Sequence, residues 1–309
     1  MILNTGQRTD IPAFYAPWFS NRLREGFVCV RNPYQPSRVT RYRLSPDVVD
    51  LICFCTKNPA PMFPYLSELE PYGQFWFVTI TPYGRDIEPN VPDKHRLLSD
   101  FCELSDRVGK ERVVWRYDPI LIWGHYTLEY HLRAFAAMAG VLRGKTQMVV
   151  LSFVDLYPKV SANFPQLRQV SREERLILGR ELCRMAEENG MQVRMCAEGT
   201  DLAPFGADCS GCMTVQVLEK ACGFTLRVPS FKPARPECAC YISCDIGAYN
   251  SCRHFCRYCY ANSDRALVER RAGEHDPNSP FLIGHAMPGD VVHDAVQVSF
   301  RDNQLKMPF

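Results

Sequence analysis

The stretch Val48–Pro59, VVDLICFCTKNP, decides how the chain is read. Val48 to Cys55 is an apolar run with β-branched and aromatic side chains, too short for an ordinary helix and fit for a buried strand. It passes at once into the polar turn Thr56-Lys57-Asn58-Pro59. The same succession recurs on both sides. Met1–Leu3 leads to Arg8, Thr9 and Asp10, and Phe75–Ile80 leads to Thr81-Pro82-Tyr83-Gly84. Val113–Trp115 leads to Arg116, Tyr117, Asp118 and Pro119. Met148–Phe153 carries Ser152 and Asp155 at its end, and Met191–Cys196 ends in Glu198.

Helical patterns separate these runs. Pro17 opens one helix and Gly26 closes it. Leu97, Leu98, Phe101, Leu104 and Val108 share a face, as do Leu128, Leu132, Phe135, Met138 and Leu142. Ser171 and Glu174 form a capping box for a helix that Asn189-Gly190 ends. Phe27–Leu44, with proline-flanked β-like pieces, is an excursion between core elements. Strands alternating with helices predict an α/β fold with a mostly parallel sheet, whose carboxyl ends carry the chemistry. Arg8, Lys57, Thr81, Arg116, Asp155 and Glu198 are therefore expected to converge on one cavity.

The 309 residues, 46% hydrophobic and 23% charged, suffice to bury a full core. Lysine and arginine number 36 against 34 acidic residues, which gives no electrostatic footprint for a nucleic-acid backbone. No apolar run approaches a bilayer-spanning length, and Arg8 and Asp10 arrive too early for a signal peptide. A soluble cytoplasmic protein is the expectation, without a membrane partner and with nucleic acid disfavoured.

Fifteen cysteines are many for a reducing compartment. Cys29, Cys53, Cys55, Cys102 and Cys183 fall inside apolar patterns and read as core. Ten others lie between Cys196 and Cys259, a crowding that points to metal or cluster ligation. Cys252, Cys256 and Cys259 have the spacing CxxxCxxC within CRHFCRYCY. Three thiolates on one loop can hold three corners of a cubane and leave the fourth iron open, or can belong to a structural zinc site. His254, inside the loop, reads as solvent-exposed, since three thiolates suffice. Upstream, Cys196, Cys209, Cys238 and Cys240 are the preferred set for a second iron–sulfur cluster or zinc ion, with Cys212 and Cys244 as competitors.

The CxxxCxxC loop with its aromatic Tyr258 resembles the cluster loop of radical SAM enzymes. ECACYISCDIGAYNSCRHFCRYCYAN, with RTDIP, FCTKNPAPM and VVWRYDPIL, resembles a family catalogued only as a domain of unknown function, from Ile2 to the terminal QLKMPF. That family has C-terminal cysteines similar to those of radical SAM proteins, and TKNP is similar to an element in relatives of spore photoproduct lyase. The resemblance implies a partial (β/α)6 TIM-like barrel over residues 1–198, with the cysteine-rich region 199–309 packed on its mouth. Radical SAM proteins usually carry the motif after the first strand. Here it follows the sixth, so the resemblance implies a permuted cluster loop. Their glycine-rich SAM-binding element is absent, and Thr56-Lys57-Asn58 stands in its place.

The implied activity is reductive cleavage of S-adenosylmethionine by a [4Fe–4S] cluster on Cys252, Cys256 and Cys259, fed by a reductant such as flavodoxin or ferredoxin. The 5′-deoxyadenosyl radical so released would act on a substrate the sequence does not identify. Lys57, Arg116, Asp118, Asp155 and Glu198 are candidates to hold S-adenosylmethionine or substrate, each with a plain alternative as a salt bridge at the barrel mouth. A non-enzymatic iron–sulfur or zinc protein and a nucleic-acid repair lyase are the competing functions.

Overall fold

The structure, a computed structural model, describes residues 1–232, 238–242 and 244–302, so the terminal QLKMPF lies outside the described residues. Its centre is a seven-stranded sheet. In chain order its strands are β1 (Ile2–Asn4), β4 (Leu51–Thr56), β5 (Gly73–Thr79), β6 (Val113–Ile120), β7 (Met148–Phe153), β8 (Gln192–Met195) and β9 (Cys244–Asp245). They lie in the order β8-β7-β6-β5-β4-β1-β9, and every pairing is parallel. The predicted α/β class and parallel sheet are present. The sheet is open, with β8 and β9 at its edges.

Strand periodicity sorts the side chains onto two faces. On one face Leu3, Ile52, Phe54, Trp76, Val78, Val113, Trp115, Val149 and Leu151 join the larger core. Phe54 stacks on Trp76 at 3.9 Å between ring centroids, and Trp115 on Phe135 at 4.7 Å. The crossover elements cover this face. They are α1 (Ile11–Phe14), α2 (Ala16–Glu25), a 3-10 segment Ala60–Leu69, α3 (Lys94–Val108), α4 (Leu128–Leu142), α5 (Pro158–Asn163) and α6 (Arg172–Glu188). Local chemistry sets their ends: Asp93 caps α3, Thr127 caps α4, and Ser171 with Glu174 makes the predicted capping box of α6. Gly26, at φ +79°, closes α2.

The other face carries Ile2, Leu51, Cys53, Phe75, Phe77, Val114 and Val150. It is covered by α7 (Val215–Cys222) and by the cysteine-rich segments, through Cys196, Cys212, Met213, Leu218, Cys238 and Cys240. The sheet therefore has two differently built walls: amphipathic helices on one side, and mostly irregular chain rich in thiols on the other.

The excursion after α2 forms a second sheet. β2 (Phe27–Arg31) and β3 (Arg38–Arg43) are an antiparallel hairpin, and β10 (Val291–Asp294) adds to β3 in parallel. A last helix, α8 (Arg265–Gly273), follows the cluster loop. Among the described residues no helix is long and apolar enough to cross a membrane.

Candidate functional site

The carboxyl ends of β1, β4 and β5 meet under the CxxxCxxC loop. Asp10, just past β1, holds the junction with both oxygens. Oδ1 accepts from the Ala13 N–H at 3.0 Å, capping α1, and Oδ2 accepts from the Lys57 N–H at 2.7 Å. His254 Nε2 lies 2.9 Å from the same Oδ2. His254 is thus buried, 2% exposed, with its ring against Phe14 at 4.6 Å, and the expectation of an exposed loop residue is corrected. The loop needs an internal post, because its backbone turns sharply at Phe255, held at φ +54°.

Further contacts fix the loop. Tyr15 Oη donates to the Ser251 carbonyl at 2.6 Å, and the Arg257 N–H donates to the Ile87 carbonyl at 3.0 Å. The Cys259 N–H donates to the Cys256 carbonyl at 3.0 Å, and the Ala261 N–H points at Cys259 Sγ at 3.3 Å. Asn262 Nδ2 donates to the Cys252 carbonyl at 2.7 Å. Burial pushes all three thiols up, and the sulfurs reinforce one another: Cys252 is raised by its two companions and Asp10, and Cys256 by Glu88 and Cys259. Lys57 acts against this at Cys256, and backbone N–H groups, Lys159 and Lys57 do so at Cys259. Three thiols gathered in a desolvated place favour the protonated form until a cation joins them.

Glu88, from the loop after β5, is the buried charge below this site. Its Oε1 accepts from Lys57 Nζ at 2.8 Å, Thr81 Oγ1 at 2.6 Å and the Tyr258 hydroxyl, and its Oε2 from Lys94 Nζ at 2.5 Å. Burial pushes the carboxyl up, but the two lysines more than offset it and hold it at about 2. Lys57 and Thr81, both predicted mouth residues, meet here. Tyr258, the aromatic before the last cysteine, is the loop's own contact with the cluster of charges.

A second assembly lies on the thiol-rich wall. Arg116 pairs with Asp118 on β6, and burial that would strip its proton is more than offset by Asp118, Cys196, Cys212 and Cys55. Its Nε is buried without a hydrogen-bond partner. Cys212 Sγ lies 3.3 Å from Cys240 Sγ, and Cys212 also shares a hydrogen bond with Cys196, as Cys238 does with Cys240. Hydrogen bonding with Cys212 favours the thiolate at Cys196 and at Cys240 against burial, Cys240 to about 6, while Cys212 rises. Tyr260 spans the two assemblies, being influenced by Cys55, Arg116 and Cys259. Among the described residues, no three His, Cys, Asp or Glu side chains already stand around one point as ligands of an ion.

Comparison with known proteins adds one result. The family profile described as a domain of unknown function, DUF1848, matches residues 2–261. The chain belongs to this family. The match runs from the first strand to two residues beyond Cys259, so it takes in both cysteine assemblies. No curated protein and no solved structure matches the chain.

The remaining predicted residues of this DUF1848 chain are distributed as follows. Cys209 is not with the other three of the preferred second set. It points toward the Ala207 carbonyl at 3.8 Å, with Cys183 of α6 nearby, whereas Cys212 is the thiol in contact with Cys240 and Cys196. Arg8 lies over Tyr249 and 3.7 Å from Asp245 on β9. Glu198 has both oxygens engaged, with the Phe153 N–H at 2.7 Å and Arg175 Nη1 at 3.0 Å, which makes it a brace between β7 and α6. Burial raises its carboxyl to about 7. Asp155 lies beside it and accepts from the Tyr157 hydroxyl at 3.2 Å. Sequence reasoning missed Glu88, in the polar loop GRDIEPN, and missed Asn4, whose amide is buried with neither atom hydrogen-bonded. A groove of about 850 Å³ lies elsewhere, among Arg143, Thr146, Gln192 and Gly206 at the amino ends of β7 and β8.

Proposed function

We propose that this protein is a radical SAM-like enzyme in which Cys252, Cys256 and Cys259 hold a [4Fe–4S] cluster, and that its open sheet serves as a partial barrel with that loop at its mouth. The observation that carries the reading is the thiol triad itself: three half-buried cysteines on one loop, a backbone N–H aimed at one of them, and Lys57 beside two. This donor set suits a cubane with one iron left to a small molecule. When bound, the cluster would supply one electron for reductive cleavage of S-adenosylmethionine.

The chain's own residues have separate tasks in this reading. Asp10, His254 and Tyr258 position the loop, and Glu88 keeps Lys57 charged and directed at the sulfurs. Arg116, with a buried N–H unspent, is the group best suited to a carboxylate, of S-adenosylmethionine or of substrate. Lys57 and Asp118 are engaged with protein partners and act through charge. Asp155 and Glu198 support the carboxyl end of β7. Fully buried aromatic side chains such as Tyr83 and Tyr126 pack beneath the loop and exclude water, as radical chemistry requires.

The test is anaerobic reconstitution with iron and sulfide, then addition of S-adenosylmethionine and dithionite. About four irons per chain and formation of 5′-deoxyadenosine are expected, both lost when Cys252, Cys256 and Cys259 are replaced by alanine. Iron without 5′-deoxyadenosine would favour the non-enzymatic metalloprotein. Full iron in the triple variant would move the cluster elsewhere.

A further inference from the structure

We propose that Cys196, Cys212, Cys238 and Cys240 form a second, closed metal site that takes one thiophilic cation of the zinc class. The proposal stands independently of the cluster-loop reading, since none of its four sulfurs belongs to that loop.

Three separate pieces of chain bring these thiols together. Cys196 follows β8 directly, in an extension whose N–H bonds the Leu151 carbonyl of β7. Cys212 follows Gly211, whose φ of +112° gives a turn that only glycine adopts without strain. That turn is tied back to β8 by Arg194, which donates to the Gly211 carbonyl at 2.6 Å. Cys238 and Cys240 stand two apart, and the Tyr241 N–H bonds the Met213 carbonyl at 2.9 Å, locking their segment beside the turn. The thiols make a chain of pairwise contacts, Cys196 with Cys212, Cys212 with Cys240 and Cys240 with Cys238, which a bound cation would draw in around one point. A lone buried cysteine is a small hydrophobe, as Cys29 is beside Val39 and Phe281.

The surroundings suit a closed site. The four residues are between 2% and 8% exposed, and Cys53, Phe75, Phe77, Met213 and Leu218 belong to the same core. So little exposure suits structural zinc with all four positions filled by protein. Arg116 stands at the edge as the positive partner for the excess negative charge of a four-thiolate centre. Scale decides between one ion and a cluster. Zn–S bonds of about 2.3 Å place tetrahedral sulfurs about 3.8 Å apart, near the 3.3 Å between Cys212 and Cys240. In a cubane each thiolate binds a different iron, which spreads the sulfurs farther. A mononuclear site would also add to α7 in holding this part of the chain on the sheet.

The experiment uses the full chain carrying C252A, C256A and C259A, so that the first loop contributes no metal. Metal analysis after growth with added zinc should find about one zinc per chain, with Cys212→Ser and Cys240→Ser each reducing it at least tenfold and Cys209→Ser leaving it unchanged. Should the serine variants not fold, Co²⁺ substitution of the parent protein reads the same site, since four thiolates give intense sulfur-to-metal charge-transfer absorption. Iron with matching sulfide would overturn the proposal, as would a Cys212–Cys240 disulfide with no metal. Retention of zinc by Cys212→Ser, or its loss from Cys209→Ser, would overturn it equally.

Discussion

Asp10 and His254, 244 positions apart in the chain, meet 2.9 Å apart, and both are buried. The contact ties the cluster loop to the end of β1, and through the Lys57 N–H to the end of β4. Removing the carboxylate leaves α1 uncapped and two buried donors unpaired. Asp10→Ala should cost about 3 kcal/mol, summing a lost cap and two unsatisfied groups. Urea unfolding of the metal-free protein measures it. A cost under about 1 kcal/mol would show that the loop is held by other contacts.

Glu88 has a sharper expectation because its two oxygens serve four donors. Glu88→Gln keeps the shape but leaves Lys57 and Lys94 without a counter-charge, so a loss of about 3–5 kcal/mol is expected. Lys94→Met should cost less, since Lys57 still neutralises the carboxylate. Both are read by urea unfolding of the metal-free chain. The reverse order would mean that Lys94, not Glu88, organises the cluster of charges.

Much of this arrangement was legible in the sequence, for identifiable reasons. Leu51–Cys55 and Phe75–Thr79 announce themselves as strands, because buried parallel strands need continuous apolar runs, whereas the expected Val48–Asp50 start is a turn before β4. Ser171 and Glu174 mark a helix start through a side-chain pattern that is wholly local. That Cys212, and not Cys209, contacts Cys196 and Cys240 was not legible. Both belong to CSGC, and only the Gly211 turn and the pairing of Asp208 with β8 decide which sulfur faces the sheet. β9 is two residues long, so it carries no periodic signal. Glu88 and the burial of His254 depend on partners far away in sequence, which spacing alone does not register.

His131 gives the protein a pH dependence away from the cysteines. It is fully buried on α4, with Nδ1 2.7 Å from the Tyr117 hydroxyl and Nε2 2.9 Å from the Leu121 carbonyl. Burial pushes its imidazole down to about 4, against an ordinary value of 6.5. Between those values the unfolded chain binds more protons, so stability rises with pH there. The contribution is complete above about pH 6.5 and is lost as pH falls toward 4, amounting to about 3 kcal/mol. Unfolding free energies between pH 4 and 7 should therefore show a shallower slope in His131→Gln. An unchanged slope would assign the dependence to other groups.

Gly6 tests the close approach on which the first junction depends. A Cβ built there would stand 2.4 Å from Cys55 Cβ and 2.5 Å from the Cys55 carbonyl oxygen. The second of these is backbone in the middle of a parallel sheet and has no rotamer to yield. Gly6→Ala must lift residues 6–10 away from β4, which pulls Asp10 from the Lys57 N–H and from His254. A cost of about 3 kcal/mol or more is expected, at the upper end of overpacking. Gly140 supplies the contrast: it lies in α4 with open space where its Cβ would be, so Gly140→Ala should stabilise the protein by about 0.5–1 kcal/mol. Paired urea titrations decide the matter. Equal effects of the two substitutions would mean that the β1 loop does not press on β4, and the support proposed for the cysteine loop would lose its first link.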